Sequence, residues 1–134
     1  MILADSSVWI DFLRGVQTWQ TFRLKELLSA GGVLMGDLIL VEILQGYSTQ
    51  RDVNRVEALI EPLDTIEIGG RNLALEAARN YRTLRRKGIT VRSTIDTLIA
   101  TRCIRDGITL LHSDRDFLPF EHELGLSVVR QATH

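Results

Sequence analysis

Residues 2–14 read ILADSSVWIDFLR. Ile2-Leu3-Ala4 is a short apolar run and reads as a buried strand. Asp5 follows directly, at the carboxyl end of that strand. Ser6 or Ser7 is placed to cap a helix running to about Arg14. That helix carries Val8, Trp9, Phe12 and Leu13 on one side, and Gly15 stops it. A strand, an acid and a helix within thirteen residues set the expectation for the rest of the chain.

The alternation continues outward. Residues 18–30 read as a helix ended by Gly31-Gly32, and Val33-Leu34-Met35 as a second strand. Asp37 is expected to cap a helix to about Gln45, and residues 50–60 form the next. Asp64 to Ile68 has the period-2 character of a third strand. Residues 71–87 form a long helix ended by Gly88. Residues 93–106 form another, capped by Ser93 or Thr94 and stopped by Gly107. Thr109 to Leu111 and Leu126 to Val129 read as the fourth and fifth strands. Short apolar strands separated by helices predict an α/β fold with a mostly parallel sheet covered on both faces. In such folds chemistry sits outside the carboxyl ends of the strands.

The chain has 134 residues, 45% hydrophobic and 25% charged, with a net charge of −1. That bounds it to one domain, residues 1–134, and excludes a uniformly basic nucleic-acid coat. A single cysteine, Cys103, excludes an internal disulfide and fits a reducing cytoplasm; it reads as a small buried hydrophobe. No apolar run approaches the ~18 residues of a membrane helix. The start, MILADSSVWI, lacks the basic region of a signal peptide. Neither a P-loop nor a GxGxxG motif occurs, and Ser6-Ser7 does not sit in GxSxG, so nucleotide-loop and Ser-His-Asp chemistries lack support.

Of nine Asp and eight Glu, four stand where carboxylates are costly. Asp5 and Asp114 follow apolar strands directly. Glu42 interrupts Leu38-Ile39-Leu40-Val41 and Ile43-Leu44, and Asp96 lies between Ile95 and Thr97-Leu98-Ile99-Ala100. Asp5, Glu42 and Asp96 have no adjacent Lys or Arg; Asp114 is followed by Arg115. Such charges need a shared cation, and a set of hard oxygen donors favours Mg²⁺ or Mn²⁺. A cluster holding one or two such ions suits phosphodiester hydrolysis. Asp116, two residues after Asp114, has three readings: a second-metal ligand, a water-positioning group, or a turn cap. His112 reads as a strand-end core residue. Each of the four acids also has an ordinary local reading as a helix cap, a first-turn acid or an exposed helix residue.

Residues 71–92 hold seven basic side chains against one acid, Glu76. The segment is therefore +6 and the remainder of the chain −7. Arg79, Arg82 and Arg86 share one helical stripe, with Leu73, Ala77, Tyr81 and Leu84 opposite. A basic stripe beside an acidic metal site is what a phosphate polymer requires. The same arginines would equally suit acids of a partner protein or of a second subunit. Trp9, Phe12 and Trp19 read first as core, with a groove for a partner peptide as the alternative.

The segments Ile2-Leu3-Ala4-Asp5-Ser6-Ser7 with Trp9-Ile10, Glu42 in its apolar helix, Ile95-Asp96-Thr97-Leu98-Ile99-Ala100, and Leu110-Leu111-His112-Ser113-Asp114-Arg115-Asp116-Phe117 together resemble PIN-domain ribonucleases. Among these the chain resembles the VapC toxins of bacterial VapBC toxin–antitoxin modules, over residues 2 to about 130. The resemblance implies a five-stranded parallel sheet of order 3-2-1-4-5. It implies Mg²⁺- or Mn²⁺-dependent endoribonuclease activity, often on tRNA or rRNA. It also implies a homodimer and a cognate VapB-type antitoxin that wraps the toxin, often with an Arg reaching the metal site. The family's acidic quartet falls on Asp5, Glu42, Asp96 and Asp114, its common extra acid on Asp116, and Ser6 stands where Thr or Ser is usual. On this reading Asp5, Asp96 and Asp114 hold the metal, and Glu42 and Asp116 orient water or a second ion. Arg79, Arg82 and Arg86 guide RNA. A non-catalytic PIN-like RNA-binding or protein-partnering module is the alternative. A phosphoacceptor receiver domain is disfavoured, since no acid pair follows the first strand and residues 126–134 contain no Lys.

Overall fold

The computed structural model describes residues 1–132. The strands are β1 (Ile2–Ala4), β2 (Val33–Gly36), β3 (Asp64–Ile66) and β4 (Thr109–Leu111), in the spatial order β3-β2-β1-β4. All three pairings are parallel, with Ile2 opposite both Val33 and Thr109 and Leu34 opposite Asp64. The helices are α1 (Ser6–Leu13), α2 (Trp19–Ala30), α3 (Asp37–Leu44), α4 (Gln50–Ile60), α5 (Arg71–Arg86), α6 (Thr94–Asp106) and α7 (Leu118–Leu124). A 3-10 turn, Arg115–Phe117, precedes α7.

The central strands are apolar throughout because both faces are covered. Leu3, Ala4, Val33, Leu34, Met35, Leu110 and Leu111 are all buried, together with Trp9 of α1, Ile39 and Ile43 of α3, and Ile99 of α6. At about 25 cal/mol per Å² of apolar surface removed from water, this core supplies the main drive for folding. Trp9 is fully buried and meets Phe12 edge-on, with centroids 6.1 Å apart. The leading aromatics therefore serve the core first. Phe22 of α2, by contrast, is 66% exposed.

Four expectations are corrected. The predicted fifth strand, Leu126–Val129, is a single parallel bridge between Val128 and Leu110, so among the described residues the sheet has four strands in the order 3-2-1-4. Within β4, Leu110 exchanges hydrogen bonds with that tail, through Ser127 O and Val129 N, both at 2.9 Å. One exchanged pair leaves the tail's other peptide groups off the ladder. The cap of α1 is Asp5, not Ser6 or Ser7. For α3, Gly36 holds the capping position and Asp37 lies inside the helix. The Asp37 carboxylate accepts from the amides of Leu38 at 2.8 Å and Ile68 at 2.7 Å, so it ties the end of β3 to the start of α3. That tie brings Ile68 so close to Gly36 that an added Cβ would lie 2.3 Å from Ile68 Cδ1. The third strand stops at Ile66, two residues earlier than its pattern indicated.

Candidate metal centre

Parallel register places the ends of β1 and β4 side by side. Ala4 pairs with Leu111, and the Asp5 amide donates to Leu111 O at 2.9 Å. The acids that follow the two strands are therefore neighbours, although more than a hundred residues separate them in sequence.

Asp5 is 2% exposed. Its Oδ2 accepts from the Ser7 amide at 3.1 Å and from Ser7 Oγ at 2.6 Å, which is the N-cap of α1. Its other oxygen, Oδ1, is buried with no hydrogen-bond partner. An unpaired buried carboxylate oxygen costs free energy unless something electropositive meets it. Beside it, Ser6 Oγ donates to Glu42 Oε1 at 3.0 Å and so aims the Glu42 carboxylate from α3 toward α1.

Asp96 lies in the first turn of α6, where the helix dipole favours an acid, and Ser93 caps that helix by accepting from the Asp96 amide at 3.1 Å. Asp114 Oδ1 accepts from the Asp116 amide at 2.9 Å and caps the 3-10 turn. One carboxylate oxygen from each of Asp96, Asp114 and Asp116 lies within 4.8 Å of the other two. Opposite ligands of a single Mg²⁺ are about 4 Å apart, so this trio has the spacing that one hard cation spans. Asp116 is thus a member of the tight group, while Asp5 and Glu42 border it.

The electrostatics show how close the five acids stand. Burial, and then the charges of Asp5, Asp114, Glu42 and Asp116, push Asp96 up to about 7. Burial raises Asp5, opposed by its bonds to Ser7 and Ser6 and reinforced by Asp114. Burial also raises Glu42, opposed by Ser6 and reinforced by Asp5 and Asp114. Among the described residues, none of the five forms an ion pair with Lys, Arg or His. Such a cluster must hold protons or a cation. The donors are all carboxylates and one buried oxygen is orphaned, so the residues fit Mg²⁺ or Mn²⁺ and lack the Cys and His of a zinc site.

The predicted basic residues lie elsewhere. Arg79, Arg82 and Arg86 are exposed on α5, which packs along α6. A groove between α5 and α6 is lined by Arg82 and Arg85 and by Thr94, Thr97 and Leu98, which flank Asp96 in sequence; Arg79 and Arg86 are not among its walls. Arg85 also lies over the Tyr81 ring, 5.6 Å from its centroid.

Sequence reasoning missed Ser7 and Glu121. Ser7 Oγ accepts from the Ser113 amide at 3.2 Å while donating to Asp5, and so joins the two strand ends. The Glu121 side chain is 4% exposed. A signal for it was present: Glu121 falls four residues after Phe117, on the helical face that also buries Phe120 and Leu124.

Comparison with known proteins gives the family and the fold. The PIN domain family model matches residues 2–121. The chain is similar to "Ribonuclease VapC11" of Mycobacterium tuberculosis, 35% identical over 119 residues, covering 87% of this chain and 89% of that one. In fold it resembles a chain of the VapBC2 complex from Rickettsia felis bound to a promoter DNA fragment, with a TM-score of 0.72 and 17% identity over 96% of this chain and 98% of that one. It likewise resembles M. tuberculosis VapC20, a sarcin–ricin loop cleaving toxin, with a TM-score of 0.65 and 18% identity over 97% and 99% of the two chains. A family model spanning most of the chain, joined to a close relative aligned over nearly all of its own length, establishes that the chain belongs to the PIN domain family.

Proposed function

We propose that this chain is a divalent-metal-dependent endoribonuclease, the toxin of a type II toxin–antitoxin pair, acting as one catalytic domain in the cytoplasm. The observation that carries the reading is the convergence of five carboxylates, one with an orphaned buried oxygen, in a chain similar to VapC ribonucleases. Asp96, Asp114 and Asp116 are the residues that would hold Mg²⁺ or Mn²⁺, and the orphaned Asp5 oxygen would be a further donor. The bound ion supplies Lewis acidity and neutralises charge on the reacting phosphate. Glu42, held by Ser6, is placed to orient and deprotonate the attacking water. The carboxylates of Asp5 and Asp114 are fixed before substrate arrives, through Ser7 and the Asp116 amide, so little reorganisation is left for the reaction.

The expected substrate is a structured RNA, tRNA or rRNA, in keeping with the sarcin–ricin loop cleavage ascribed to VapC20, whose fold is similar. Arg79, Arg82 and Arg86 are assigned to its backbone. The expected partners are a VapB-type antitoxin and a second copy of the chain, in keeping with the VapBC complexes of similar fold. Among the described residues, no helix is long and apolar enough to cross a membrane.

The test is cleavage of end-labelled total tRNA and rRNA by purified protein with Mg²⁺, Mn²⁺ or excess EDTA, with mapping of the new ends. Discrete ends that vanish in EDTA support the reading. RNA binding with no metal-dependent cleavage would favour the non-catalytic module.

A further inference from the structure

Glu121 carries a carboxylate that the metal cluster does not use. It lies on α7 with a side chain only 4% exposed, so it needs partners within the fold. One is Arg130, whose Nη1 is 3.5 Å from Oε1 and whose side chain is 77% exposed. The other is His112, whose Nε2 is 2.9 Å from Oε2. The opposite ring nitrogen, Nδ1, accepts the Asp114 amide at 3.1 Å. An accepting Nδ1 bears no proton, so the ring proton is on Nε2 and is donated to Glu121. The imidazole is also packed against Phe117, centroids 4.9 Å apart, which fixes its plane.

The loop after β4 is therefore gripped at two consecutive amides. Ser113 N–H is held by Ser7 Oγ, already tied to Asp5, and Asp114 N–H by His112, already tied to Glu121. The Asp114 carboxylate then holds the Asp116 amide. Each link orients the next, and the last two bear oxygens of the tight trio.

We infer that Glu121 and His112 are positioning residues. The chain Glu121–His112–Asp114 holds the loop in the one conformation that presents Asp114 and Asp116 to Asp96, and so sets the affinity for the divalent ion. Neither side chain is assigned to touch metal or RNA. The inference rests on the cluster being a metal site.

The experiment is a calorimetric Mn²⁺ titration of the full chain, freed of metal, with thermal unfolding of each variant as a control. Partners one step removed from a metal ligand are worth about 10–100-fold in affinity. Glu121→Leu and His112→Leu are expected to weaken Mn²⁺ at least about tenfold. Glu121→Gln keeps an acceptor for Nε2–H, and His112→Asn offers Oδ1 to the Asp114 amide in place of Nδ1. Both are expected to stay within about threefold of wild type, a rescue that lost packing alone does not explain. Should the leucine variants fail to fold, Glu121→Asp decides. It keeps the charge but withdraws the acceptor by one methylene, and is expected to weaken Mn²⁺ about five- to tenfold with little change in Tm. Folded leucine variants or Glu121→Asp with wild-type affinity would overturn the relay. So would equal losses in the conservative and leucine variants, since hydrogen bonding would then not be the cause. A wild-type chain that binds no Mn²⁺ would instead overturn the metal-site reading.

Discussion

The carboxyl edge of the sheet and the helix α5 concentrate charge in opposite ways. At the edge, five acids arrive from β1, α3, α6 and the loop after β4, and burial with mutual repulsion raises Asp5, Glu42 and Asp96. On α5 the charges come from one contiguous segment and point into water, with local contacts such as Arg85 over Tyr81 and Arg86 beside Thr83. Buried like charges must bind something. Exposed ones are screened within ~8–10 Å at ordinary salt and can remain unpaired. The difference predicts large, specific mutational effects at the edge and graded, salt-dependent ones on the helix.

The largest expected effect is at Asp96. Asp96→Asn removes one ligand charge and a carboxyl raised by burial and by its neighbours, and should cut RNA cleavage at least about 100-fold. Undiminished cleavage by the purified variant, or full activity in excess EDTA, would erase the distinction between the two regions.

Next comes stability against pH. Asp96 titrates near 7 in the fold and has an ordinary value of 3.8, so the folded chain keeps a proton that the unfolded chain has released. The metal-free protein is therefore stabilised at low pH and loses that stability as pH rises from about 4 through about 7. The shifts of Asp5 and Glu42 act in the same direction. The metal-free Tm should thus be higher at pH 5 than at pH 8, and Asp96→Asn should narrow that gap. Asp96→Asn should also leave the metal-free chain at least as stable as wild type at pH 8, the gain reaching about 1–2 kcal/mol. Saturating Mn²⁺ should raise Tm at pH 8 in wild type by occupying the cluster. A pH-independent metal-free Tm would show that the acids do not repel.

The smallest effect belongs to α5. The double change Arg82→Gln and Arg86→Gln should weaken all RNA sequences alike and lower the salt slope by about one to two units. Mn²⁺ affinity should be unchanged. Arg82 lines the groove beside Asp96's helix and Arg86 does not, so the single Arg82 variant should show the greater part of the loss. An unchanged RNA slope with lost antitoxin or dimer binding would reassign the stripe to a protein partner.

Much of this was readable because it is local. Residues 50–60 and 109–111 form their elements with the expected bounds, since the apolar pattern that signals each is written within one segment. The acids were conspicuous for the same reason, each breaking an apolar run. The element missed entirely, α7, has Leu118, Pro119 and Phe120 at its start, with too few turns for a period to declare itself.

What the sequence alone determined is the alternation of strand and helix, the apolar strands, and the identity of the acids placed at strand ends and helix starts. Tertiary structure decided whatever depends on partners distant in the chain. Leu126–Val129 had the composition of a strand, yet β4 meets it at one residue. Asp37 looked like a cap and instead reaches Ile68, thirty-one positions away. Glu121 did not stand out in the sequence, and its side chain is buried against His112. Composition and period report whether a residue could be paired or buried. Which neighbour meets it is settled only when the sheet's register brings β1 beside β4 and α7 packs against the turn after β4, because those contact energies arise between segments and are not properties of either one.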